Sequence, residues 1–232
     1  MISDKHEIIQ LKYKDQKIIV WTYGDPKNPP IFFIHGFFNS FSQYIGDLPI
    51  RYLMKDYFIL AFDLPEFGYS KDISIDRVEF IRLIQKEILK DRKVTLFGVS
   101  YGGLISVKYY LENPKLVNGL IIAGTPAFRN IFNLYKLAAL LPKYKNKKIN
   151  FNDFKEFNEI LTKENLNKVN IPVLLYYNRA DLIANIYMGK WFYKNIKNSK
   201  LFISGKQNHG WLLHRIDQNG FLDEINIFMS KL

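Results

Sequence analysis

The chain has 232 residues, 48% of them hydrophobic, enough for one α/β core without a second domain. It contains no cysteine, which excludes disulfides, thiolate metal sites and a cysteine nucleophile together. A formal charge of +11 admits nucleic acid or an anionic membrane as partner. The lysines, however, are scattered among Ile, Asn, Phe and Tyr. Only Lys143-Tyr144-Lys145-Asn146-Lys147-Lys148 forms a basic cluster, so the charge reads as compositional bias and no nucleic-acid partner is expected. No run reaches the roughly 18 apolar residues that a membrane span requires. Met1 to Glu7 is polar and mixed in charge, without the apolar stretch of a signal peptide, so a soluble, cytoplasmic protein is expected.

Residues 7–13 and 17–23 are β-branched and aromatic runs on either side of Lys14-Asp15-Gln16, the pattern of a hairpin. Asp25-Pro26-Lys27-Asn28-Pro29-Pro30 then breaks the chain. Short apolar runs follow at Ile31–Ile34, Tyr57–Phe62, Val94–Phe97, Leu120–Ala123, Val173–Tyr177 and Lys200–Ile203. Each is bounded by Gly, Asp, Asn or Pro, as strands buried on both faces of a parallel sheet should be. Between them Val78, Ile81, Leu83, Ile84 and Ile88 lie near helical spacing. Leu104 to Leu111 forms a second helix that stops at Asn113-Pro114, and about Phe221–Met229 forms a last one. This alternation predicts an α/β fold with a mostly parallel, doubly wound sheet, whose site lies beyond the carboxyl ends of the strands.

Residues 127–170 interrupt the alternation. Ile131 to Leu141 is apolar almost all round until Pro142, and Phe151, Phe154, Phe157, Ile160 and Leu161 recur at helical spacing. The stretch is read as a short helical lid inserted into a single domain spanning 1–232. Its nine Lys or Arg against four Asp or Glu, with seven aromatics, also allow a surface that meets anionic lipid. The lid reading is preferred, because aromatics at helical spacing pack inward more often, and a membrane-surface partner is set below it.

The chemistry concentrates after the run Val94–Phe97, in Gly98-Val99-Ser100-Tyr101-Gly102-Gly103. This is Gly-x-Ser-x-Gly with a strand before and a helix after, the context in which such a serine is a nucleophile. A serine hydroxyl needs a base. His6 lies in the N-terminal tail, His35 ends a strand before Gly36, and His214 falls at the start of the final helical region. His209, on a loop after the last strand, is the candidate base, the alternative being a solvent-facing loop histidine. Asp181 follows Val173–Tyr177 and completes the chain order Ser, Asp, His; Asp63 is the alternative acid, with a turn role favoured for it. An oxyanion needs two donors. The backbone N–H groups of Tyr101 and of Phe37, in His35-Gly36-Phe37-Phe38, are the candidates, against a plain turn glycine at Gly36. Phe38, Phe128, Phe132, Tyr135 and Trp211, with Phe37, Phe41 and Tyr101, could line an apolar pocket, and each can also be read as core. No metal site is expected.

On these residues the whole chain resembles the α/β-hydrolase family, and specifically its small esterase-like members. The resemblance is carried by His35-Gly36-Phe37, Asp63-Leu64-Pro65-Glu66-Phe67-Gly68-Tyr69-Ser70, Gly98-Val99-Ser100-Tyr101-Gly102-Gly103, Asp181 and Asn208-His209. It implies an eight-stranded, mostly parallel sheet, a lid at 127–170, water as second substrate and no cofactor. Three positions depart from the family pattern: Glu66, Asn208 and Asn178 stand where glycine is usual or frequent. They bear on loop geometry and remove no catalytic group. The expected activity is that of a serine carboxylesterase cleaving small or medium acyl esters through an acyl-enzyme. Acylglycerol lipase, lactonase, carbon–carbon bond hydrolase and aminopeptidase stay open, as does a non-catalytic ligand-binding protein. Substrate identity and oligomeric state are not legible.

Overall fold

The computed structural model of the protein describes residues 6–37, 40–41, 50–127, 159–205, 208–209 and 220–232. The hairpin is present as β1 (Glu7–Tyr13) and β2 (Gln16–Tyr23), antiparallel from Glu7 opposite Thr22 to Tyr13 opposite Gln16. Six further strands follow: β3 (Pro30–Ile34), β4 (Phe58–Phe62), β5 (Val94–Val99), β6 (Val117–Ala123), β7 (Val173–Asn178) and β8 (Ser199–Ser204). They join one sheet in the order β1-β2-β4-β3-β5-β6-β7-β8. β2 pairs antiparallel with β4, and every pair from β4 to β8 is parallel.

Helices cover both faces, and the alternation of side chains along each strand shows why. Val94 and Leu96, Leu120 and Ile122, and Leu175 and Tyr177 join one buried cluster. There they meet α2 (Arg77–Ile84, continued by a wider turn at Gln85–Leu89), α3 (Tyr101–Glu112) and α5 (Ile186–Asn195). Phe97, Ile121, Ala123, Leu174 and Tyr176 face the other way, onto α1 (Ile50–Leu53) and α6 (Phe221–Met229). Tyr176 stacks on Phe221 with ring centroids 3.9 Å apart. Strands apolar on both faces are stable only when both faces are covered, each buried Leu, Ile or Phe contributing about 1.5–3 kcal/mol.

Two expectations are refined. Of the stretch 127–170, residues 128–158 lie outside the described residues. Its C-terminal part contains α4 (Lys163–Asn167), capped by the Thr162 hydroxyl, with Leu161, Leu166 and Val169 buried in the same cluster as α2, α3 and α5. That end is therefore part of the core. Phe41 is fully buried among Trp21, Tyr23 and Phe33, a core position and not a pocket wall. No helix among the described residues is long and apolar enough to cross a membrane.

Candidate active site

The parallel strands bring four segments to one edge of the sheet: the loops after β3, β5, β7 and β8. Ser100 sits between β5 and α3 with φ +52° and ψ −113°, a conformation that L residues rarely adopt and that costs about 1–3 kcal/mol. Three hydrogen bonds hold it there. Its N–H donates to the Ala123 carbonyl at 2.8 Å, and its carbonyl accepts from Gly103 N–H at 3.1 Å and from the Thr125 hydroxyl at 2.9 Å. The two motif glycines are packing requirements. A Cβ on Gly98 would lie 2.4 Å from the Gly102 carbonyl oxygen, and one on Gly102 would lie 2.1 Å from the Ile34 oxygen.

Ser100 Oγ stands 2.9 Å from His209 Nε2, and His209 Nδ1 stands 2.7 Å from Asp181 Oδ2. Asp181 is fully buried, and its other oxygen accepts the N–H groups of Ile183 at 2.9 Å and Ala184 at 2.8 Å. An ionised carboxylate can only accept, so the proton of a neutral His209 ring belongs on Nδ1. Nε2 then presents a lone pair to the serine hydroxyl. The loop after β3 borders the same point, since a Cβ on Gly36 would lie 3.2 Å from Ser100 Cβ and 3.8 Å from Oγ. Tyr101 opens α3, which places its N–H at the positive end of the helix dipole beside Ser100.

Residues 29–165 match the α/β hydrolase fold family. The chain belongs to that family. The human serine hydrolase-like protein is 26% identical over 112 residues, 46% of this α/β-hydrolase and 54% of its own length. This chain thus spans about half the length of that relative. The uncharacterized hydrolase YugF of Bacillus subtilis is 25% identical over 81% of this chain and 85% of its own. The carboxylesterase CesB of Bacillus subtilis shares the fold with a TM-score of 0.76 at 16% identity, over 98% of this chain and 93% of its own.

In this α/β-hydrolase the remaining candidates sort by their hydrogen bonds. His35 is fully buried; its Nε2 accepts Leu64 N–H at 2.9 Å, so Nδ1 carries the proton and donates to the Gly36 carbonyl at 2.8 Å. It ties β3 to the loop after β4. Asp63, the alternative acid, accepts Phe41 N–H at 2.6 Å and Tyr69 N–H at 2.8 Å, a turn role. Glu66 adopts φ +72°, the backbone that glycine favours, whereas Asn178 does not take a positive φ. Phe38, Phe128, Phe132, Tyr135 and Trp211 lie outside the described residues. Among the described residues no group of three His, Asp or Glu could hold a metal ion.

Two supporting residues escape sequence reasoning. Thr125 binds the Ser100 carbonyl through its hydroxyl, and its own carbonyl accepts the Tyr177 hydroxyl at 2.6 Å. Burial, and then the nearby charge of Asp181, push the Tyr177 hydroxyl well above its ordinary pKa, so it remains a donor. The available signal is position alone: Gly124-Thr125-Pro126 directly follows β6.

Proposed function

We propose that the protein is a serine hydrolase that cleaves small or medium acyl carboxylic esters. Ser100 Oγ attacks the ester carbonyl while His209 Nε2 takes its proton. The resulting oxyanion is received by the backbone N–H groups of Phe37 and Tyr101. Collapse expels the alcohol, which takes the proton from His209 and leaves Ser100 acylated. Water, deprotonated by His209, then attacks the acyl-enzyme and releases the acid and free Ser100. Asp181 orients the ring and stabilises the imidazolium. No step requires a metal or cofactor. Of the insert read at 127–170, residues 128–158 are proposed as a lid over the acyl pocket, lined in part by Phe128, Phe132 and Tyr135.

The observation that carries this reading is the 2.9 Å approach of Ser100 Oγ to His209 Nε2, with Asp181 Oδ2 2.7 Å behind the ring. The fold shared with a carboxylesterase supports an ester as substrate. Fluorophosphonate should label Ser100, and Ser100→Ala should lose turnover by about 10⁴- to 10⁶-fold with circular dichroism unchanged. A panel of nitrophenyl esters from acetate to palmitate, with lactones and anilides beside it, reads the substrate class. Ser100→Ala at near wild-type turnover would overturn the assignment.

A further inference from the structure

Five residues, the two assigned to the oxyanion among them, are linked in a closed ring. Phe37 and Tyr101 meet edge to face, with centroids 5.3 Å apart and planes at 78°. Phe67 packs on Phe37 at 5.6 Å and on His35 at 5.3 Å. On the other side the Arg77 guanidinium carbon stands 5.5 Å from the centroid of the Tyr101 ring. Arg77 Nη2 donates to Glu66 Oε2 at 2.8 Å. Glu66 and Phe67 are joined by a peptide bond, so the ring Glu66, Arg77, Tyr101, Phe37, Phe67 is closed.

Glu66 occupies this place at a strained φ of +72°. Its backbone bond, N–H to the Ser70 carbonyl at 3.0 Å, could be made by any residue except proline. Glycine would make it without strain. What glutamate adds is the carboxylate on Arg77, whose side chain is only 13% exposed. The loop around Glu66 is itself fastened by the Asp63 carboxylate to Tyr69 N–H and by Ser70 N–H to the Phe67 carbonyl at 2.8 Å.

We propose that Glu66 and Arg77 are positioning residues that set the separation of the Phe37 and Tyr101 backbone N–H groups. This rests on the reading that those two groups receive the oxyanion. Arg77, held by Glu66, bears on the Tyr101 ring; Tyr101 bears on Phe37; Phe67 holds Phe37 from the far side. Because Glu66 and Phe67 are chain neighbours, the two jaws of this clamp move together. Donors stabilise a developing oxyanion only if they already stand where the charge will appear. A displacement of about 1 Å can cost about 100-fold.

The test combines steady-state kinetics on a soluble ester with amide hydrogen exchange at Phe37 and Tyr101, for Glu66→Gly, Arg77→Met, Arg77→Lys and the double variant Glu66→Gly/Arg77→Met. Glu66→Gly relieves strain, so its Tm should hold. Each single loss should lower kcat by roughly 10-fold at constant KM. The double variant should be no worse than the more severe single one, since both remove one contact. Arg77→Lys should regain part of kcat, and exchange at both amides should rise in Glu66→Gly. Wild-type kcat in Glu66→Gly and Arg77→Met, or additive losses with unchanged exchange, would overturn the clamp. A wild-type protein inert toward every ester sinks the esterase reading instead. The exchange data then decide the clamp alone: a rise at both amides supports it and no change refutes it.

Discussion

Asp181 gives one oxygen to His209 and keeps the other for its own loop: Oδ2 lies 2.7 Å from His209 Nδ1, while Oδ1 accepts Ile183 and Ala184 N–H. Asp181→Asn should separate these tasks. The amide oxygen can still serve the loop, so Tm should change little. The amide nitrogen would donate to Nδ1 and force the ring proton onto Nε2, where it blocks Ser100. Turnover should fall by about 10⁴-fold. Acylation rates and thermal melts measured together check this, and a wild-type rate would remove Asp181 from the mechanism.

Gly102 and Gly36 should respond differently to alanine. At Gly102 the new Cβ would lie 2.1 Å from the Ile34 oxygen and 2.7 Å from that of His35, both backbone atoms that cannot swing aside. Gly102→Ala should cost about 1–3 kcal/mol or more and lower Tm by roughly 2–4 °C for each kcal/mol. At Gly36 the nearest atoms are Ser100 Cβ at 3.2 Å and the Val99 oxygen at 3.3 Å, a contact that relaxes with a small shift. Gly36→Ala should fold and turn over slowly, because the crowded atom belongs to Ser100. Equal melting temperatures for the two variants would contradict the packing argument.

The strand centres are legible because residues buried on both faces write an unbroken apolar run, while their ends follow contacts that leave no such trace. The run Val94–Phe97 stops at Gly98, yet β5 continues to Val99, since Gly98 is there for the approach of Gly102 and not for a turn. β6 begins at Val117, although Asn118-Gly119 reads as a breaker. Asn118 accepts the Thr95 hydroxyl at 3.0 Å, and a Cβ on Gly119 would meet Leu232 Cδ1 at 2.7 Å. α3 starts at Tyr101 and not at Leu104 for the same reason: Gly102 and Gly103 look like helix breakers and are close-approach residues. α5 goes unread because Gly189 interrupts its pattern, in a place where the Tyr177 ring leaves 2.6 Å for a Cβ. Its cap, Asn185 accepting Tyr187 and Met188 N–H, was the available signal. Ser100, Asp181 and His209 are legible through motif and chain order. Thr125 acts through its hydroxyl and its carbonyl, and Tyr177 through its hydroxyl, groups that impose no spacing.

Thr125→Val should remove the hydroxyl that holds the Ser100 carbonyl at 2.9 Å while keeping the side-chain volume. The strained Ser100 backbone loses one of its three restraints, so kcat should fall by roughly 10-fold, with KM unaltered. Tyr177→Phe leaves the buried Thr125 carbonyl without the 2.6 Å bond it accepts from that hydroxyl. The expected cost is about 1–3 kcal/mol. If Tyr177→Phe slowed turnover as much as Thr125→Val while leaving urea stability unchanged, the two residues would not divide the work in this way.

Asp76 links the start of α2 to pH. Its Oδ1 caps the helix, accepting Val78 N–H at 2.8 Å and Glu79 N–H at 3.2 Å, and its Oδ2 meets Lys108 Nζ at 3.1 Å. Burial by itself would raise the carboxyl. The Glu79 N–H, the Lys108 ammonium and the Val78 N–H outweigh it and hold the group below its ordinary 3.8. A depressed folded pKa means that folding favours the ionised form. The contribution is therefore complete above the unfolded pKa and is lost as pH falls through the lower folded value. With Asp76 43% exposed, solvent screens the Lys108 pair, and the cap is expected to dominate. Asp76→Ala should thus cost about 1 kcal/mol near pH 7, with Asp76→Asn closer to wild type because asparagine also caps. Urea titrations at several pH values should find the gap between wild type and Asp76→Ala steady down to about pH 5 and closing below about pH 4. A gap that stayed constant to the acid limit of folding would show that the carboxylate charge plays no part. A gap that widened on acidification would reverse the sign of the linkage.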